Sequence, residues 1–131
     1  MKLVENKLLN YINKKSGLDL VLTRDEFSTF DASNKDYIVE FKTANKVYET
    51  ALIEVSKLHN LLQVSSKFKK QALYVMADST GVYIFNLTKL EKEIIKEPIE
   101  NRFCPYRTEF KENIKIKKYL YFLNKQKATK L

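Results

Sequence analysis

The stretch that most constrains this chain runs from Thr29 to Lys42. Tyr37-Ile38-Val39-Glu40-Phe41-Lys42 is dense in β-branched and aromatic residues, and Asn34 precedes it at a turn. Together they spell a β-hairpin. Side chains alternate across a strand, so Asp36, Ile38, Glu40 and Lys42 share one face while Tyr37, Val39 and Phe41 share the other. With Asn34-Lys35 as a two-residue loop, Ser33 pairs with Asp36, Asp31 with Ile38, and Thr29 with Glu40. Asp31 then stands diagonally from Glu40 on the same face, about 7–8 Å away between backbones. Two carboxylates at that separation can lean onto one shared cation.

The chemistry that suits such a pair is metal-assisted. Two carboxylates with water and phosphate oxygens fit Mg²⁺, a hard ion that retains several waters; Mn²⁺ is a plausible substitute. A metal held there polarises a scissile phosphodiester and lowers the pKa of an attacking water. Lys42, two residues beyond Glu40, brings an ammonium that can orient that water or stabilise charge on the phosphoryl oxygens. Glu-x-Lys on a strand face is also a common surface ion pair contributing little. The apolar character of the strand, and Asp31 on its face, argue for the metal.

Around the hairpin the pattern is of mixed type. Residues 2–15 form an amphipathic helix with Val4, Leu8, Leu9, Tyr11 and Ile12 on one side, ended by Ser16-Gly17. Glu5 extends that apolar stripe by one turn, a costly place for a carboxylate without a partner. Leu18–Thr23 reads as a first strand, Arg24-Asp25-Glu26 as a polar turn, Phe27–Ala32 as a second strand and Tyr37–Thr43 as a third. A long helix follows over 49–67, with Leu52, Val55, Leu58, His59 and Leu62 on its apolar side and Glu49, Ile53, Lys57 and Asn60 on another stripe. Gln71–Met76 and Val82–Leu87 form a second hairpin around Asp78-Ser79-Thr80-Gly81. Leu90–Lys96 reads as a short helix stopped before Pro98, Asn101–Pro105 as irregular, and Lys115–Leu123 as a strand. The order α-β-β-β-α-β-β describes one α/β domain spanning 1–131, with a core over about 1–87 and a basic extension over about 88–131.

Charge and composition narrow the partners. Lys and Arg number 24 against 16 Asp and Glu, a net charge of +8. Clustered lysines gain affinity for polyanions by releasing counterions from phosphates. Lys57 on the long helix, Lys69 and Lys70 at its end, and Lys117 and Lys118 among Tyr119, Tyr121 and Phe122 are the candidates for contact with DNA, RNA not being excluded. Lysines at the end of a helix also complement its dipole. Cys104 is the single cysteine, which excludes an internal disulfide and a cysteine-rich zinc site. The two glycines leave no phosphate-binding glycine loop, which argues against kinases, NTPases and dehydrogenases. His59, the one histidine, reads as a core or half-buried residue rather than a ligand. No apolar run approaches the roughly 18 residues of a membrane helix, and Glu5 follows too soon for a secretory leader. A cytoplasmic location is the expectation.

Asp31 followed by Glu40-Phe41-Lys42, set in this element order, resembles the PD-(D/E)xK nuclease superfamily. The resemblance spans about residues 1–87 and implies a restriction-endonuclease-like α-β-β-β-α-β core with a mixed central sheet. It implies a Mg²⁺-dependent endonuclease acting on DNA, with Asp31 and Glu40 as metal ligands and Lys42 as the catalytic lysine. Glu5 corresponds to the first-helix glutamate of Holliday-junction-resolvase-like members. A homodimer is implied too, as is the alternative of an inactive nucleic-acid-binding or protein-interaction module on the same fold. The chain departs from the pattern in having no proline before Asp31. Asp36 is a rival second acid, but four residues along a strand is about 13 Å, which favours Asp31.

Overall fold

The computed structural model describes residues 2–23, 29–44, 46–47, 50–105 and 115–131. Helix α1 (Lys2–Ser16) is followed by strands β1 (Val21–Leu22), β2 (Ala32–Ser33), β3 (Tyr37–Thr43) and β4 (Thr50–Glu54). Helix α2 (Val55–Lys67), strands β5 (Gln71–Asp78) and β6 (Gly81–Asn86) and helix α3 (Leu87–Ile94) come next. The chain ends with β7 (Glu100–Pro105), β8 (Lys115–Asn124), a 3₁₀ turn (Lys125–Lys127) and β9 (Thr129–Lys130).

Six strands form the main sheet in the order β1-β2-β3-β5-β6-β9, and a second sheet runs β4-β8-β7. The main sheet is mixed. Strands β3 and β5 are parallel, with Glu40 beside Tyr74 and Lys42 beside Met76, whereas β2–β3 and β5–β6 are antiparallel hairpin pairs. A parallel pair needs a crossover, and here α2 supplies it, preceded by β4.

Both faces of the main sheet are covered. On one side Leu8, Leu9 and Ile12 of α1 pack against Val39, Leu73 and Val75. On the other, Leu58 and Leu61 of α2, with Ile53, Tyr121 and Leu123 from the second sheet, pack against Ile38, Tyr74 and Phe85. Burial on both faces explains why Ala72-Leu73-Tyr74-Val75-Met76 is a continuous buried apolar run rather than an alternating one.

Several expectations are corrected. The long helix begins at Val55, not at position 49, and Thr50–Glu54 is a strand pairing with β8, from Thr50 opposite Asn124 to Glu54 opposite Leu120. Ala51 and Ile53 are buried on alternate positions of that strand, so Ile53 does not share a helical stripe with Lys57 and Asn60. Asn101–Pro105, expected as irregular, belongs to β7, a strand against β8. The short helix starts at Leu87, where the Asn86 side chain accepts the Lys89 N–H. Among the described residues beyond 88, Ile94, Tyr121 and Leu123 are core, and β9 closes the edge of β6. Tyr11 is 39% exposed rather than on the buried side of α1. The expected turn Arg24-Asp25-Glu26, the start of the second strand at Phe27, and Glu49 lie outside the described residues.

Candidate functional site

The hairpin that carries the carboxylates closes differently from expectation. Ser33 pairs with Ile38 and Ala32 with Val39, and Asn34 N–H donates to Tyr37 O at 3.0 Å. Lys35 and Asp36 are therefore the loop. The register is displaced by two residues, an even number, so the paired residues of β2 and β3 keep their expected faces. Asp31 is carried within interaction range of Glu40. Asp36, at the tip, drops out as the second acid.

Asn34 fixes this register. Its Oδ1 accepts the Asp36 N–H at 2.8 Å and the Tyr37 N–H at 2.7 Å, an Asx turn. Its Nδ2 donates to Leu18 O at 2.8 Å, and its carbonyl accepts Lys70 Nζ at 2.6 Å.

At the far end of β2 the ladder is irregular. Val39 stands opposite Ala32, yet its carbonyl accepts the Asp31 N–H at 2.9 Å. Two residues of one strand thus face one of the other, the arrangement of a β-bulge, which re-aims side chains. The Asp31 carbonyl accepts the Thr23 N–H at 2.8 Å, and Asp31 Oδ2 accepts the Phe41 N–H at 2.8 Å. A carboxylate oxygen replaces a backbone acceptor in the ladder and is held beside Glu40.

Glu40 is the most perturbed acid among the described residues. Its side chain is 14% exposed, and its buried Oε2 has no hydrogen-bond partner among the described residues. Burial first, then the neighbouring Asp31 charge, push its carboxyl up to about 8, while Lys57 pulls it down. Lys57 Nζ lies 3.5 Å from that same Oε2. Tyr74, beside Glu40 on β5, has its phenol pushed well above the ordinary range by burial, with Glu40 and Glu54 adding to it. The Tyr74 hydroxyl donates to Leu52 O at 3.4 Å.

Lys42 shares the face of Glu40 by alternation, is exposed and pairs with Met76 of the core on that face. Glu5 is half-buried and lines a groove of about 610 Å³ with Asn10, Asn13, Val21 and Thr23. Among the described residues no group of three or more His, Cys, Asp or Glu is gathered in a metal-holding cluster. Asp31 and Glu40 come together. A pair of carboxylates that includes one buried, undonated oxygen is an all-oxygen donor set, and it fits a hard divalent cation that keeps its own waters.

The lysines proposed for nucleic acid divide by what they touch. Lys57 faces Glu40, Lys70 holds Asn34, and Lys118 Nζ lies 2.7 Å from Glu54 Oε1. Lys69 is exposed, and the Lys117 side chain lies outside those described. His59, expected in or near the core, is exposed, its ring centroid 6.3 Å from that of Tyr121. No local pattern marked Tyr74 or the Lys57–Glu40 pairing, because both depend on the β3–β5 register across α2. The roles of Asn34 did have a signal, an Asn one residue before a polar dipeptide turn.

No family model matches the chain, and no curated protein does. Among solved structures, the chain is similar to Archaeoglobus fulgidus Hjc, a Holliday junction resolvase from an archaeal hyperthermophile, with a TM-score of 0.58 at 14% identity. The match covers 97% of this chain and 88% of that one. The likeness spans the C-terminal third as well as the hairpin, further than residues 1–87. The chain thus has the restriction-endonuclease-like fold that its resemblance to PD-(D/E)xK nucleases implied.

Proposed function

We propose that the protein is a Mg²⁺-dependent endonuclease that hydrolyses phosphodiester bonds in DNA, selective for branched structures. The observation that carries this reading is the buried contact of Asp31 with Glu40, on the strand that presents Lys42. Such a contact makes ionising both carboxyls costly while no cation is bound, because like charges are brought together partly out of water. A structural role would favour removing one of them. The resolvase fold of the similar structure supports a branched DNA substrate, and the net charge of +8 supports a polyanion.

In this reading Asp31 and Glu40 hold the cation, which when bound supplies Lewis acidity to the phosphate and a more acidic water. Lys42 orients that water and stabilises charge developing on the phosphoryl oxygens. The Phe41 N–H fixes the Asp31 carboxylate so that it does not rotate away as Glu40 ionises. Glu5, on its groove beside Thr23, is an accessory acid toward the substrate. Lys69, which is exposed, is available for backbone contacts, Lys117 is assigned the same role on charge, and Lys57, Lys70 and Lys118 serve DNA only by leaving present partners. A homodimer, placing one site at each of two strands, and a cytoplasmic location belong to the same proposal. Among the described residues no helix is long and apolar enough to cross a membrane.

The test is incubation of purified protein with four-way junction, duplex and single-stranded DNA, and with RNA, in Mg²⁺ or Mn²⁺, beside Asp31→Asn. The expected result is metal-dependent cutting of the junction that Asp31→Asn abolishes. Salt-sensitive binding with no cutting of any substrate would point to the inactive nucleic-acid-binding module instead.

A further inference from the structure

Glu40 has a charged neighbour that neither the hairpin nor the core requires. Lys57 lies in the first turn of α2, and its ammonium stands 3.5 Å from Glu40 Oε2. That oxygen is buried and accepts no close hydrogen bond among the described residues, and Lys57 is the cation that balances it.

The two partners differ in freedom. Glu40 is locked in β3 between β2 and β5 and is 14% exposed, while Lys57 is 40% exposed. A lysine stem of four carbons with an open outer side can carry its head into water without disturbing the helix. The carboxylate cannot follow. An ammonium and a divalent cation seek the same oxygen, and two cations within a few ångströms in a partly buried site repel strongly.

We propose that Lys57 is a built-in competitor for the metal site, its ammonium neutralising Glu40 until a divalent cation displaces it. This rests on the reading of Asp31 and Glu40 as metal ligands. Lys57 is then a positioning residue that sets the cation concentration at which the site loads, a role separate from gripping phosphate. Its removal tightens metal binding, whereas loss of a phosphate contact would leave metal binding in the absence of DNA untouched.

Mg²⁺ is titrated calorimetrically into the full chain without DNA, in a buffer more alkaline than the Glu40 carboxyl at about 8, so that protons do not compete. Wild type, Lys57→Met, Lys57→Gln, Lys57→Arg and Glu40→Gln are compared, with the Mg²⁺-induced rise in melting temperature as a second readout. Lys57→Met and Lys57→Gln are expected to bind Mg²⁺ about tenfold more tightly than wild type. Lys57→Arg, which keeps the charge, stays near wild type, and Glu40→Gln loses binding. Unchanged or weaker binding in both neutral variants, with Glu40-dependent binding intact in wild type, overturns the competition and leaves the metal site standing. Binding that survives Glu40→Gln, or absent from every variant, overturns the metal site itself and the competition with it.

Discussion

Lys70 Nζ donates a 2.6 Å hydrogen bond to the carbonyl of Asn34, tying the chain just past α2 to the turn that sets the β2–β3 register. The same Asn34 holds two turn amides through Oδ1 and the Leu18 carbonyl through Nδ2. The position of Asp31 beside Glu40 therefore depends on a residue that does no chemistry.

Asn34→Ala is expected to cost about 2–3 kcal/mol, since two part-buried groups and one exposed amide lose their partner together. Because the register loosens, cleavage should fall further than the loss of folded protein explains. Lys70→Met should cost about 1 kcal/mol. Urea unfolding beside an assay corrected for folded fraction checks both.

The buried Glu40 works against stability. A carboxyl raised to about 8 from 4.5 binds a proton in the folded state that the unfolded chain has released. Its contribution is thus lost as pH rises between those values. Without divalent cation, Glu40→Gln should stabilise the fold at a pH near 8 by on the order of 2 kcal/mol. The gain should vanish at a pH near 4, where the carboxyl is protonated in both states. Thermal melts at the two pH values measure it.

Much of this region was legible in the residues. Tyr37–Thr43 has the bounds its alternation predicts, and Glu40 and Lys42 share one face of it by that alternation. What the residues did not disclose depends on distant partners. Thr50–Glu54 fits a helical stripe as well as a strand, and its partner β8 lies some seventy residues on (Thr50 opposite Asn124). The turn was misplaced because the tolerance of Asn for positive φ outweighed its side-chain bonding to later amides. The even displacement spared the site.

Asp78 gives an acid-side prediction of opposite sign. Burial raises its carboxyl, but hydrogen bonds from Lys125 and Thr80 and the Lys125 charge outweigh that and bring it down to about 2, from 3.8. Lys125 Nζ lies 2.6 Å from Asp78 Oδ2 and 4.6 Å from the centroid of the Tyr83 ring. The stability it lends is full above the unfolded value and lost as pH falls toward 2. Asp78→Asn should cost about 2 kcal/mol at neutral pH and flatten the acid limb of the stability profile. Circular dichroism melts across that limb test this.

Lys69 ends α2 at a φ of 55°, while Lys69 N–H donates to Ser66 O and Lys70 N–H to Ser65 O. This is the Schellman arrangement, which favours glycine at the left-handed residue. Lys69→Gly should stabilise by about 1 kcal/mol, read as a higher melting temperature.

The central claim is that the Glu40-x-Lys42 face breaks phosphodiester bonds. Single-turnover cleavage of a labelled four-way DNA junction in Mg²⁺ by wild type, Glu40→Ala and Lys42→Ala tests it most directly, with junction binding measured in parallel. The account predicts wild-type cleavage and a loss of about a hundredfold or more in each variant, with binding retained. Cleavage at wild-type rates in both variants would contradict it.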